Sequence, residues 1–447
     1  MTELLDLAQK IASWAQPGEE VEAFAAWQRE TEVRAYGGEV ESLSSAESAG
    51  VGVRVVAHAR QGFAYVGNLD ETLAREALAE ARDNASFATP DANVGLATPD
   101  GVAPTDLELW DDSLGAMATE EKVALALELE RQVRAGDPRI REVVSADYGD
   151  DQSEAAIASS TGISAASRST TCYLVVYAVA GEGDDTQTGG GYSVCRAPGE
   201  LEIEKASRDA IERATRMLGA TKPPSGRVTA VFDREVTATL LSVLAGTLSG
   251  EEVAKGRSLF AGRLGEQVAS PSVTFVEDPT NSFAFGASRY DAEGLACRRV
   301  PLIDKGRLVA FLYDTYSARL AGAQSTASAV RAGFKSAPGV GARALSLAPG
   351  GLDQAGVIGA VGEGLFIQDV SGIHSGVNPV SGDFSVGAEG LLIRRGELAQ
   401  PVREITIAST IQSLLQGIEV VGGDIEWLPS AAAGLTIAIG DVAMSGS

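Results

Sequence analysis

Hydrophobic and polar positions alternate between two periods along the chain, and the changes of period mark out its elements. Leu4, Leu5, Ala8, Ile11 and Ala12 recur at helical spacing within residues 2–14, with Thr2 placed to cap the first turn. From Val21 to Val66 the period falls to two. Val33-Arg34-Ala35-Tyr36 runs into Gly37-Gly38, and the runs 51–56 and 63–66 follow, which predicts an antiparallel meander of three or four strands. Leu73, Ala77, Leu78 and Ala81 then place one apolar stripe on a helix over 70–87. Three prolines, Pro90, Pro99 and Pro104, make 88–106 a surface loop.

The same order repeats. A helix over 119–133 precedes strands at 140–148, 154–160 and 170–180, and a helix over 200–218 closes the unit. Between them Gly181 to Gly191, acidic and glycine-rich, reads as a mobile hairpin tip, a substrate-facing loop or a plain solvated turn. The expectation is an α+β module over 1–220, with an internal helix-plus-strands repetition that allows two similar subdomains. Ala220-Thr-Lys-Pro-Pro-Ser-Gly226 is a linker. Beyond it, over 221–447, strand 228–232 leads into a helix from about Arg234 to Leu248. Short glycine-punctuated strands follow, with hairpin signals at Asp304-Lys305-Gly306 and Arg394-Arg395-Gly396-Glu397. The predicted fold class is α+β: antiparallel sheets with long helices, then a mainly-β domain.

Composition narrows the function. With 36 Lys+Arg against 61 Asp+Glu the formal charge is −25, which disfavours a phosphate backbone or an anionic membrane surface as partner. High glycine (51 residues) and low aromatic content (6%) suit β structure with many turns. Cys172, Cys195 and Cys297 are odd in number and widely spaced, which fits a reducing compartment better than a disulfide framework. The N-terminus lacks a basic segment and a long apolar run, and no stretch reaches the roughly 18 apolar residues of a membrane span. A cytoplasmic protein is the simplest expectation. His58 and His374 are the only histidines, and neither begins His-Glu-x-x-His, so a His-rich zinc centre is not available. Both read as structural or surface residues, although a site pairing His374 with Asp383 stays open. No phosphate loop or nucleophile elbow is present. Gly339-Val-Gly341-Ala-Arg-Ala344 imitates a dinucleotide fingerprint but does not follow a strand.

Four segments of the second half are more specific: Leu248-Ser-Gly-Glu-Glu252; Gly256-Arg257-Ser258 with Leu264-Gly-Glu266; Asp314-Thr-Tyr316; and Asn378-Pro-Val-Ser381-Gly382-Asp383-Phe384-Ser-Val-Gly-Ala-Glu-Gly390. The last is either a sharply turning segment with available backbone N–H groups or a structural corner of the β domain. In this order the segments, from about 226 to 411, resemble the TldD/PmbA family and specifically its PmbA (TldE) branch. The resemblance implies a cytosolic zinc peptidase built as a TldD–TldE heterodimer that degrades unfolded or flexible peptides and processes peptide precursors. The catalytic branch carries His-Glu-x-x-x-His on the helix before the Leu-x-Gly-[Asp/Glu] segment. Here those positions hold Leu241, Ser242 and Gly246, and the cysteine ligand of that branch is matched only by Gly387 or Ala388. The resemblance therefore implies no catalytic or metal residues in this chain, with zinc in a TldD-like partner and proteolysis a property of the pair. Arg257, Ser258, Asn378, Ser381, Gly382, Asp383 and Phe384 are candidates for the substrate cleft or the subunit contact. Two other readings remain: a non-catalytic homodimeric binding or scaffold protein of the same fold, and a gyrase or nucleic-acid effector, which the charge opposes.

Overall fold

The computed structural model describes residues 1–183 and 185–446. Its first half is one six-stranded antiparallel sheet in the order β3-β2-β1-β4-β5-β6, formed by β1 (Glu19–Tyr36), β2 (Glu39–Ala57), β3 (Arg60–Val66), β4 (Ile140–Ser159), β5 (Ser164–Glu182) and β6 (Asp185–Cys195). The repetition is thus two helix–three strands–helix units joined at their first strands, β1 beside β4. Helices Thr2–Ala12 and Glu71–Phe87 cover the first unit, and Thr119–Gly136 and Ile203–Thr215 the second. The Gly37-Gly38 hairpin works because both residues take left-handed φ, 67° and 83°. At the N-terminus the cap position belongs to Met1, and Thr2 is already helical.

Two expectations change. The strands placed at 140–148 and 154–160 are one strand, β4. Gly149, Asp150 and Asp151 look like a turn in sequence, yet β4 pairs through them with both β1 and β5. The polar break is tolerated because buried Asp150 meets buried Lys122 at 2.6 Å. The glycine-rich 181–191 stretch is mostly strand β6 rather than a loop; Asp184 within it lies outside the described residues. Gly189 and Gly191 sit under helix Ile203–Thr215, where a Cβ would lie 2.4 Å from Ala210 O and 1.9 Å from Ala206 O respectively. The glycines allow the helix to pack against the edge strand.

The second half is built on β7 (Gly226–Phe232). Its sheet runs Glu397–Thr410, Asp383–Arg394, Glu363–Ser371, β7, Ile437–Ser445, Ile418–Val421, with Thr406–Ala408 also pairing Ala443–Ser445. That extra pairing curls the sheet into a barrel-like ring. Helix Arg234–Thr247 packs on it through Val236, Leu240, Leu241 and Leu244, in a core with Phe232, Leu365 and Ile367. Both predicted hairpins form, Asp304 with Arg307 and Arg394 with Glu397. Gly339–Val340 pairs with Ala329–Val330, and the next element is the strand Leu345–Leu347 rather than a helix. The two halves are joined by a buried ion network: Glu22 of β1 meets Arg331 of the second half at 2.7 Å, and Arg54 of β2 bonds Glu22 and Glu293.

Candidate functional site

Helix Arg234–Thr247 begins where Asp233 accepts from the Arg234 N–H at 2.7 Å. Its apolar stripe faces the ring, which fixes what the opposite side presents. Leu241 is 1% exposed, whereas Ser242 and Gly246, four residues apart, share the open face. The Ser242 hydroxyl donates to Ala238 O at 2.9 Å, and a Cβ at Gly246 would meet open space. A buried hydrocarbon, a self-bonded hydroxyl and a missing side chain do not fit zinc, which takes Cys, His, Asp or Glu ligands. Among the described residues no group of three or more such side chains is disposed to hold a metal.

The structure brings the two sets of candidate residues together. Asn378 Oδ1 accepts from the N–H groups of Val380 (2.9 Å) and Ser381 (3.1 Å), and the Ser381 hydroxyl donates to Asp383 Oδ2 at 2.7 Å. Gly382, at φ 84°, donates to Asn378 O and accepts from the Ile411 N–H. Pro379 O accepts the Leu259 N–H at 3.1 Å, tying this turn to Gly256–Ser258. Within the cluster Asn378, Ser381, Asp383 and Arg257 are exposed, while Phe384 is core and Ser258 is buried. Ser258 donates to Thr247 O at the end of the helix and accepts from the Phe260 N–H at 3.0 Å, and Arg257 pairs with Glu252 at 2.6 Å. His374 is exposed in the short helix Ile373–Gly376, and His58 is exposed in the β2–β3 turn at φ 53°.

The other two segments have structural work. Ser249 caps helix Gly250–Ala254, where any Cβ on Gly250 would strike the Tyr313 ring at 2.1 Å. Asp314 caps helix Thr315–Ala321 in a reciprocal arrangement with Ser317, and the Tyr316 hydroxyl donates to Asp91 at 3.0 Å.

A polar cleft of about 260 Å³ lies where β5 and β6 face the second sheet, lined in part by Tyr177, Tyr192, Arg213, Glu235, Asp369 and Glu389. Glu235 lies seven residues before Ser242, so the two share a helix face. Asp369 and Glu389 stand opposite each other on paired strands, beside a bulge at Gln368. Burial raises the pKa of all three carboxyls; Arg213, 2.5 Å from Glu235, opposes the shift there, and Asp369 adds to it at Glu389. Like charges facing across strands are unfavourable, so this cleft suits a cationic group. Glu389 lay within the Asn378–Gly390 motif; Asp369 carried no local signal, because its partner is set by strand pairing. A second cleft, of about 1020 Å³, opens between the end of β6 and the loops of the second half, with Trp110, Phe283, Trp427 and Arg196 on its walls.

The fold and site define an α+β chain whose glycine-rich edge strand and barrel-like β half enclose a carboxylate-lined cleft, beside a helix that holds no zinc donor at Leu241, Ser242 or Gly246. Known proteins place that arrangement. Residues 225–446 match the PmbA/TldA metallopeptidase C-terminal domain, 112–218 the central domain and 21–87 domain 1. The chain belongs to the PmbA/TldD metallopeptidase family. It is 27% identical over 392 residues to Metalloprotease PmbA of Escherichia coli O157:H7, covering 87% of this chain and 84% of that protein. It is 26% identical over 383 residues to the Metalloprotease TldD homolog of Haemophilus influenzae, covering 83% and 79%. The crystal structure of TldE from Thermococcus kodakarensis superposes with a TM-score of 0.89 at 22% identity, covering both chains fully.

Proposed function

We propose that this chain is the subunit without zinc of a TldD–TldE-type peptidase, acting in the cytoplasm on unfolded or flexible peptides and peptide precursors. Its partner is a chain bearing His-Glu-x-x-x-His. The observation that carries the reading is the helix Arg234–Thr247, which turns Leu241 into the core and leaves Ser242 and Gly246 exposed, three positions without a zinc donor. No step of the chemistry is assigned to a metal in this chain. Its own contribution is to close the chamber and to hold the peptide. Strand β6 ends the first sheet, and a sheet edge offers main-chain groups that accept a peptide with little regard to sequence. The carboxylate cleft beside it suits a peptide's ammonium group or a basic side chain.

Purification of the chain from its native host, followed by reconstitution, tests this. The expected result is co-purification of a His-Glu-x-x-x-His chain and turnover of a casein-like peptide only when both are present. Stoichiometric zinc and peptide cleavage in the dialysed chain alone would overturn the assignment. Recovery as a homodimer without a partner would favour the scaffold reading.

A further inference from the structure

One row of side chains crosses the first sheet. Thr31 on β1, Asp150 on β4, Cys172 on β5 and Cys195 on β6 are successive register partners. At its inner end Lys122 bonds both Thr31 (3.2 Å) and Asp150 (2.6 Å). At its outer end the Cys172 and Cys195 sulfurs lie 3.4 Å apart. Cys172 is fully buried; Cys195 is half-buried, reaches Ala197 O at 3.0 Å and lines the 1020 Å³ cleft.

We propose that Cys172 and Cys195 form a reversible thiol–disulfide site whose co-reactant is a small-molecule disulfide admitted through that cleft. Facing residues of an antiparallel pair have Cα atoms about 4.5–5.5 Å apart, inside the range of about 4.4–6.8 Å that a disulfide bridges. The sulfurs need only close to about 2.05 Å, a movement that side-chain rotation supplies.

Access sets the order of events. The Cys195 thiolate attacks one sulfur of R–S–S–R, forming a mixed disulfide and releasing RS⁻. The Cys172 thiolate then attacks the Cys195 sulfur, the Cys172–Cys195 bond forms, and the second RS⁻ leaves. The two protein protons pass to the two leaving thiolates, so two protein thiols and R–S–S–R become one protein disulfide and two RSH. The contact with Cys195 raises the pKa of Cys172, burial raises it further, and Asp150 and Glu200 add to the effect. The buried Cys172 thiol must ionise before it attacks, so the second step quickens with rising pH. Once formed, the bond ties the edge strand β6 to β5 at the lip of the cleft.

Cys297 provides an internal control, since it is buried, is pushed up to about 12 by burial and has no cysteine partner among the described residues. The test treats the full chain with oxidised glutathione and maps non-reduced peptides by mass spectrometry. The expected product links the peptides of Cys172 and Cys195 with the loss of two hydrogens, is reversed by dithiothreitol, and melts several degrees above the reduced chain. Cys297 is alkylated only after denaturation. Cys172→Ser should stop with one glutathione on Cys195, and Cys195→Ser should leave Cys172 unmodified. Wild-type chain that accumulates glutathione on Cys195 without a linked peptide would overturn the proposal. So would Cys172 modified as fast in the Cys195→Ser chain as in wild type.

Discussion

Leu259 donates its backbone N–H to the Pro379 carbonyl at 3.1 Å, and through that bond two segments 120 residues apart in sequence become one surface. Their side chains have divided tasks. Ser258, next to Leu259, is bonded on both sides inside the protein, whereas Arg257 points outward to Glu252.

That division gives the first prediction. Ser258→Ala leaves the buried Thr247 carbonyl and Phe260 N–H without this partner and should cost about 1–3 kcal/mol in urea unfolding. Arg257→Ala should leave the midpoint unchanged while altering assembly or peptide turnover in a reconstituted pair. Normal turnover and assembly with both Arg257→Ala and Asp383→Asn would remove this surface from the site.

The glycines of β6 should respond by face. Ala at Gly189 or Gly191 meets helix backbone, and such overpacking costs about 1–3 kcal/mol. Ala at Gly190 meets the Tyr177 ring at 3.0 Å, a half-exposed side chain that can turn away, and the Val176 carbonyl only at an ordinary 3.8 Å. Thermal melting of the three variants should therefore show Gly190→Ala as the mildest.

The buried network between the halves predicts non-additivity. Burial opposes ionisation of Glu22, but Arg54 and Arg331 outweigh it and hold its carboxyl below the usual range. Arg331→Met strips one of these cations from a buried carboxylate and should cost about 3–5 kcal/mol. The double variant Glu22→Gln/Arg331→Met should lose less than the sum of the single changes, measured by a double-mutant cycle in urea.

Two acids predict the pH dependence. Burial lifts Glu277 to about 7 from 4.5, and burial with Glu293 nearby lifts Asp291 to about 7 from 3.8. A raised carboxyl binds its proton more tightly in the folded chain. Its contribution is therefore complete below the unfolded value and is lost as pH rises through the folded one. Glu277→Gln keeps an acceptor for the Arg343 and Ala344 N–H groups but cannot ionise. Relative to wild type it should gain stability between about pH 5 and pH 8, read as the difference between the two urea midpoints. A constant difference across that range would refute the assignment.

The helices, the meander and the two hairpins were legible because local periodicity and turn residues specify them. The apolar stripe on Arg234–Thr247 and the identities of Leu241, Ser242 and Gly246 were legible too, since a side chain's capacity to bind metal is fixed by its chemistry. Tertiary pairing decided the rest. Asp150 reads as a turn residue until Lys122, brought to it by the helix Thr119–Gly136, neutralises its charge inside the sheet. The glycines at 189–191 read as a loop until the helix Ile203–Thr215 requires their small size. Asp369 and Glu389, or Cys172 and Cys195, become partners only through strand register, which is set by packing between distant segments and leaves no mark on either segment alone.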